Sequence, residues 1–194
     1  MNKRTVQIID FLKTIEAFKT IEREIPTSAG RPESDAEHSW HLAMFLIAFQ
    51  AELPPTLNMQ RALELALMHD LVEIYAGDTF AFDIEGRKTK KDREERAAVR
   101  LFDKLPDDIK ERFTKLFREY EDQTSIEAQI VKALDKLQPS LVNSQLEGGT
   151  WAKHDLSYEK IMKYKRQYVE PFPFIESLMD DILQGSVNEG HLSP

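Results

Sequence analysis

The chain has 194 residues, a length that fits one domain able to bury a hydrophobic core without disulfides or other staples. Its formal net charge of -8, from 34 acidic and 26 basic residues, argues against a broad sequence-independent grip on nucleic acid, which needs clustered positive charge. Because the chain has no cysteine, disulfides, thiolate zinc sites and cysteine nucleophiles are excluded, and any metal must be held by histidines and carboxylates.

The amino terminus mixes charged and apolar residues and lacks the continuous apolar stretch of a signal peptide. No later stretch reaches the roughly 18 consecutive apolar residues of a membrane span, so we expect a cytoplasmic protein without a membrane partner. Apolar residues recur with helical spacing along almost the whole chain, and no alternation of β-branched residues stands between turn signals. The predicted fold class is therefore all-α.

Three helices are predicted in the amino-terminal part of the chain. The first covers about residues 5–23 and carries an apolar stripe. Ser34 followed by Glu37 is a capping-box pattern, which predicts a second helix from there to about Ala51. The third, about residues 59–76, is apolar on almost every side, so we expect it to be central and buried.

Gly77 is suited to end the third helix, and residues 78–83 are predicted to form a loop at its carboxyl end. Residues 88–104 are charge-rich with interleaved apolar positions, which predicts another helix. Pro106 and the acids that follow it are typical of the first turn of the next one. Both helices are expected to pack outside the core.

A further amphipathic helix is predicted from residue 126 to near Pro139, and residues 158–181 complete the helical set. The last residues, 185–194, are expected to form a frayed tail. The sequence thus predicts one helical domain over residues 1–184, followed by this carboxyl-terminal tail.

The most informative feature is His69 and Asp70 inside the most apolar predicted helix. Burying a carboxylate without a partner costs several kcal/mol, so a buried carboxylate is normally paired with a cation or with hydrogen-bond donors. Glu73 lies on the same side of a helix, at i+3 from Asp70 and i+4 from His69. One helix thus offers an imidazole and two carboxylates in a small volume.

Two further polar residues are directed towards the predicted core. Asp135 shares its helix face with apolar residues, and His38 begins a helix that continues as a core stripe. With His69 and Asp70 they form a mixed nitrogen and oxygen set, which suits one divalent transition metal (Mn, Fe, Co, Ni or Zn) better than Mg or Ca. Such a shell leaves room for water and a phosphoryl oxygen, which indicates a hydrolase.

Each of these residues has a simpler explanation when it is taken alone. A core histidine is often bonded to a backbone carbonyl, and a carboxylate can cap a loop or pair with arginine. An adjacent His and Asp, together with a separate inward His and Asp, are hard to explain as independent accidents.

His41, one turn after His38, is a rival ligand. Trp151 and His154 are candidates for a pocket rim or a subunit contact, with plain packing as the alternative.

The order His38, then His69 and Asp70, then Asp135 resembles the HD-domain metal-dependent phosphohydrolase superfamily. The resemblance extends over about residues 11–168. Its motifs are similar to those of the branch of 5'-deoxynucleotidases and oxetanocin-related HD proteins, and they are Arg31-Pro32-Glu33-Ser34, Glu37-His38-Ser39, His69-Asp70 with Glu73, Gly77-Asp78 and Leu134-Asp135-Lys136. The resemblance implies a helical bundle of the HD-domain type, a nucleotide as partner, and a possible homodimer.

By this resemblance the expected activity is removal of the 5'-phosphate from deoxyribo- or ribonucleoside monophosphates. Glu73 would be the general base or the residue that orients water, and Asp78 would contact the sugar hydroxyl. The branch has an Arg-Trp pair ahead of the first ligand, whereas this chain has Arg23-Glu24-Ile25-Pro26 and no Trp there. Phosphate binding is therefore assigned to Arg31 or to Arg23, and the alternative role of Arg31 is a salt bridge to Glu33, Glu37 or Asp78.

Two alternatives to a phosphomonoesterase stay open. One is a nucleotide phosphodiesterase or triphosphohydrolase on the same fold, and the other is a non-catalytic helical module with a structural metal. The chain has no Gly-rich phosphate loop, no His-Glu-x-x-His motif and no Gly-x-Ser-x-Gly elbow, which narrows the range of enzyme classes.

Overall fold

The structure is a computed structural model that describes all residues 1–194, and it is mostly α-helical with one small two-stranded sheet. The predicted all-α bundle is confirmed apart from that sheet. No helix combines the length and the apolar composition needed to cross a membrane. In chain order the elements are α1 Lys3–Ile15, a 3-10 helix Glu16–Thr20, β1 Glu22–Pro26, β2 Pro32–Ser34, α2 Asp35–Ala48, α3 Met59–Met68, α4 Glu73–Ala76, α5 Ile84–Phe102, α6 Asp107–Asp122, α7 Ile126–Gln145, α8 Thr150–Lys153, α9 Tyr158–Val169 and α10 Pro173–Asn188.

Two hydrophobic clusters form the core. The larger one is built around α7, which packs against α2, α3, α9 and α10. The smaller one joins α1, α5 and α6 to the chain after α3, so the expectation that α5 and α6 lie outside the core is wrong. Met68 packs against both clusters, and Leu71 belongs to the smaller one. His69 and Asp70 therefore lie where the two clusters meet.

The first predicted helix is wrong in its second half. It ends at Ile15, and after a 3-10 turn the chain forms β1, which pairs with β2 in an antiparallel hairpin with an irregular register. The hairpin continues directly into α2, since the amide of Asp35 donates to the carbonyl of Ile21 over 3.0 Å. Strands this short have too few residues to show an alternating pattern in the sequence. The consequence is that Arg23 lies on a strand.

The third predicted helix is interrupted at the His-Asp pair. α3 ends at Met68, and the amides of Leu71 and Glu73 bond three residues back, to Met68 over 3.1 Å and to Asp70 over 2.8 Å, before α4 begins. These tighter turns aim neighbouring side chains differently from a regular α-helix. Gly77 then ends the helical segment with a φ of 74°, as predicted.

The capping box that starts α2 is confirmed, because the side chain of Ser34 accepts from the amide of Glu37 and the Glu37 side chain accepts from the amide of Ser34. The predicted end of α7 near Pro139 is wrong, since the helix continues through this proline. Pro139 has no N–H to donate, a loss that costs about 3 kcal/mol in a helix interior. Packing of α7 on four neighbouring helices outweighs that cost.

The carboxyl terminus is packed rather than frayed. α10 extends to Asn188, beyond its predicted end near residue 181. Leu192 is buried, and the amide of Tyr158 donates to the carbonyl of Ser193 over 2.8 Å. Residues after 185 therefore belong to the same folded body as the start of α9.

Candidate metal centre and active site

A cavity of about 280 Å³ opens between β1, the loop after α4, and helices α5, α7, α8 and α9. Its wall contains basic and acidic side chains in equal number, although the chain as a whole is acidic. Aromatic rings, among them Phe80, Trp151 and Tyr164, complete the lining. A pocket of this size, with charged groups beside aromatic surfaces, suits a small charged ligand with a flat ring.

Four side chains meet beneath this cavity: His38 from α2, His69 and Asp70 from the turn after α3, and Asp135 from α7. Nε2 of His38 lies 3.1 Å from Oδ1 of Asp135, and Nε2 of His69 lies 3.9 Å from the same oxygen. Oδ2 of Asp70 is 2.9 Å from Nε2 of His69. His38, His69 and Asp135 are buried, and each offers a ligand atom within 4.8 Å of those of the other two. Three of the four residues singled out in the sequence are thus brought together, and Asp70 adjoins them through its contact with His69.

Both histidines are held so that Nε2 faces this centre. Nδ1 of His69 lies 2.9 Å from the carbonyl of Ala66, to which it donates, so Nε2 carries the lone pair. Nδ1 of His38 donates in the same way to Oε1 of Gln138 over 3.1 Å. Nε2 of Gln138 donates to Glu33 over 2.8 Å, which fixes the orientation of the amide. The partners behind each ring therefore orient both imidazoles as ligands.

The buried Nε2 of His69 makes no hydrogen bond of good geometry, although Oδ2 of Asp70 lies 2.9 Å away. A buried polar atom without a partner is costly, and here it is aimed at two carboxylates and a second imidazole. Two nitrogen and two oxygen donors are a set that suits divalent transition metals. The residues present therefore fit a divalent metal.

The charges of His38, Asp70 and Asp135 match what a metal requires, whereas the charge of Asp70 raises the pKa of His69 against the effect of burial. Burial, together with Arg23, lowers the pKa of His38 to about 4, so its ring is neutral. Burial acts to raise the pKa of Asp135, but Lys136 and the two histidines hold it well below its usual value. Burial also opposes ionisation of Asp70, yet His69 and Arg23 keep its pKa well below the ordinary range. Both carboxylates are therefore ionised at neutral pH.

A second group of acids adjoins the first: Asp35, Glu73 and Asp78 also bring ligand atoms within 4.8 Å of one another. Arg23 extends into this group, with Nη1 3.2 Å from Oδ1 of Asp35, 2.9 Å from Oδ2 of Asp70 and 4.0 Å from Oδ1 of Asp78. The guanidinium of Arg23 therefore places a positive charge among these acids.

Glu73 is almost completely buried at the edge of the cavity. Its Oε1 accepts from Nζ of Lys90 over 2.9 Å, while its Oε2 has no hydrogen-bond partner. Burial and the charge of Asp70 raise the pKa of Glu73 well above the usual value, and they raise that of Asp35 to about 7. Crowding of buried like charges makes these carboxyls stronger bases.

The other predicted site residues differ in their placement. Asp78 lines the cavity, and burial raises its pKa against the opposing effect of Arg23. Arg31 is exposed, does not line the cavity and donates to Glu37 over 2.9 Å, so its salt-bridge alternative is the one observed in this structure. The reason is the hairpin turn, which directs Arg31 outward while Arg23 on β1 points into the cavity.

The rival residues also have definite positions. His41 lies outside the ligand group, with Nδ1 3.1 Å from Nε2 of Gln138. Trp151 is buried and lines the cavity, which favours a position in the pocket wall over a subunit contact. Nε2 of His154 lies 2.9 Å from Oε1 of Glu24 on β1.

Sequence reasoning missed several cavity residues. Lys132 lies on the same face of α7 as Asp135, at i-3, Lys136 follows Asp135 directly, and Lys90 and Lys165 come from α5 and α9. Nζ of Lys136 lies 2.8 Å from Oδ2 of Asp135. Helical spacing from Asp135 was a signal for Lys132, whereas only the tertiary packing of α5 and α9 reveals Lys90 and Lys165.

Comparison with known proteins agrees with this geometry. The family model described as HD domain matches residues 15–176. The 5'-deoxynucleotidase HDDC2 of Bos taurus is 33% identical over 142 residues, which cover 72% of this chain and 68% of the relative. The 5'-deoxynucleotidase hdd1 of Schizosaccharomyces pombe is 25% identical over 187 residues, covering 93% of this chain and 91% of the relative.

A solved structure is similar over the full length. The crystal structure of a protein from Magnetospirillum magnetotacticum MS-1, described as a predicted metal-dependent phosphohydrolase, superposes with a TM-score of 0.92. The two sequences are 34% identical, and the match covers 100% of both chains. The backbone that positions the cavity is therefore shared with that protein.

Proposed function

The chain belongs to the HD domain family and is a hydrolase, and from this premise we propose that it removes the 5'-phosphate of deoxyribo- and ribonucleoside monophosphates. The observation that carries the proposal is the buried Nε2 of His69, which makes no well-directed hydrogen bond and lies 2.9 Å from Asp70 and 3.9 Å from Asp135 beneath a charged cavity. The names of the relatives support the choice of a nucleotide monophosphate as substrate.

In this proposal one divalent transition metal is held by His38, His69, Asp70 and Asp135. A bound metal of this kind supplies Lewis acidity, which withdraws charge from a phosphoryl oxygen and makes a nearby water more acidic. Gln138 and the carbonyl of Ala66 keep the two imidazoles oriented as ligands. Mn, Co, Fe, Ni and Zn all fit this donor set.

Glu73 is proposed to orient and deprotonate the attacking water. Its Oε2 is free to accept a proton, its raised pKa makes it a better base, and Lys90 fixes the other oxygen. The water oxygen forms a bond to phosphorus, the bond between phosphorus and O5' breaks, and O5' takes up a proton. The products are the nucleoside and inorganic phosphate.

Substrate contacts are assigned to residues that line the cavity. Arg23 takes the place of Arg31 as the proposed phosphate contact, because Arg31 is exposed and paired with Glu37. Asp78 is proposed to accept a hydrogen bond from a sugar hydroxyl, as the family resemblance implies. The partly exposed rings of Phe80 and Tyr164 offer surfaces for the base.

The test is a phosphate-release screen after chelation and reloading with each candidate metal. We expect release from 5'-mononucleotides, loss of activity on chelation, and recovery with at least one transition metal. Hydrolysis of only cyclic nucleotides or triphosphates would favour the diesterase or triphosphohydrolase alternative. Unfolding on chelation, with no hydrolysis of any phosphate ester, would favour a structural metal. The cytoplasmic location and the homodimer stay predictions.

A further inference from the structure

Lys132 is a largely buried cation in the cavity wall that has no close partner. It lies on α7 one turn before Asp135, and 18% of its side chain is exposed. Its Nζ lies 4.1 Å from the centre of the Tyr120 ring, and Glu121 is the one carboxylate within 4 Å, at 3.8 Å. That separation is too long for a hydrogen bond, so no protein group accepts from the ammonium, which lies in the cavity wall.

Three other lysines of the cavity wall, Lys90, Lys136 and Lys165, already have polar partners. Lys90 lies 2.9 Å from Glu73, and Lys136 lies 2.8 Å from Asp135. Nζ of Lys165 donates over 2.8 Å to the carbonyl of Lys136 and also over 2.8 Å to the hydroxyl of Ser140. Burial and the charge of Lys136 lower the pKa of Lys132, because the weak contact with Glu121 does not offset them. Lys132 is thus a largely buried positive charge that its contact with Glu121 does not fully neutralise.

Tyr120 connects Lys132 to the metal centre. Its hydroxyl donates to Oδ2 of Asp135 over 3.1 Å, while its ring supports the Lys132 ammonium. A cation over an aromatic face is attracted by the ring but still needs acceptors for its N–H groups. The ammonium is therefore held beside the proposed ligand Asp135, in the wall of the cavity.

We propose that Lys132 binds the phosphate of the substrate, an assignment that rests on the proposed function and deepens it. A phosphate monoester brings negative charge and several acceptor oxygens, which satisfy a buried ammonium, and lysine binds phosphate as a point charge. Arg23 and Lys132 then approach the phosphate from different elements, β1 and α7. Through this contact Lys132 favours substrates that carry a terminal phosphate over those that lack one.

The test compares Lys132→Met with Lys132→Arg and with Lys163→Met, an exposed lysine on α9 outside the cavity. Loss of a charged hydrogen bond is expected to raise KM for a 5'-mononucleotide by roughly 10- to 100-fold in Lys132→Met. The dissociation constant of inorganic phosphate, measured by calorimetry on the metal-loaded protein, is expected to weaken by a similar factor. Lys132→Arg should retain most of the binding, Lys163→Met should match the wild type, and metal content should be equal in all four proteins.

An unchanged KM and an unchanged phosphate affinity in Lys132→Met would overturn the assignment and leave the proposed function standing. If the wild type hydrolyses no mononucleotide, the proposed function fails, and phosphate calorimetry still decides the role of Lys132. If Lys132→Met does not fold, Lys132→Gln, which keeps a polar end without charge, provides the same comparison.

Discussion

Two groups of potential metal ligands share the buried polar centre, and the chain compensates their charges in different ways. Around Asp35, Glu73 and Asp78 it places two cations of its own, Arg23 and Lys90. Around His38, His69 and Asp135 the one lysine within reach is Lys136, and Nε2 of His69 is left without a hydrogen bond of good geometry.

The difference shows where a ligand is needed. A count of ligand atoms alone would rank the two groups equally, since both bring three of them within 4.8 Å of one another. Nitrogen donors with fixed lone pairs distinguish the first group, and they favour transition metals. In the second group, buried carboxyls have raised pKa values, which suits proton transfer.

The largest expected effect comes from removing a charge from the histidine-containing group. Asp135→Asn should lose the metal and lower turnover by about 10³-fold or more, because several kcal/mol of charge stabilisation disappear. Metal analysis of the purified protein and phosphate release check this. Asp92→Asn, at an exposed position, is the control. Full metal content in Asp135→Asn would remove Asp135 from the ligand set.

Removing a cation from the group of Asp35, Glu73 and Asp78 should lower the stability of the fold. Arg23→Met removes the guanidinium that contacts Asp35, Asp70 and Asp78, so the free energy of unfolding should fall by about 3–5 kcal/mol, as for other broken buried ion pairs. Urea unfolding of the metal-free protein measures this. Arg31→Met, which removes an exposed arginine of the same hairpin, should leave stability and activity almost unchanged. Equal losses in both variants would contradict the contrast between the two arginines.

The Glu73→Gln variant distinguishes a role in proton transfer from a role in metal binding. Glu73→Gln keeps the shape and the contact to Lys90 but cannot accept a proton, so turnover should fall roughly 10²-fold with metal content intact. Single-turnover phosphate release together with metal analysis tests this. Unchanged turnover would exclude Glu73 as the base.

The smallest expected effect is a difference in pH dependence. Because burial and Asp70 raise the pKa of Asp35 from 3.8 to about 7, the unfolded chain loses this proton first as pH rises. Asp35 therefore lowers the stability of the metal-free protein progressively between about pH 4 and pH 7. Relative to wild type, Asp35→Asn should gain stability over that range in urea titrations. A constant difference between the two proteins across the range would contradict the raised pKa.

Much of the centre was predictable from local patterns. Ser34 and Glu37 identified the start of α2, and polar residues in apolar surroundings indicated His38, His69, Asp70 and Asp135. These signals work because burying an uncompensated charge is costly, so such residues stand out in an apolar stretch. The break of the helix at His69 was not predictable, because turns bonded three residues back leave no separate sequence pattern.

The sequence by itself determined the helical class and the four polar residues of the centre, since hydrophobic periodicity and the cost of buried charge act locally along the chain. Only the tertiary structure decided that Arg23 rather than Arg31 enters the cavity, that α7 continues through Pro139, and which lysines face the substrate. Those outcomes depend on contacts between elements distant in the sequence, and the packing energy of such contacts outweighs local preference.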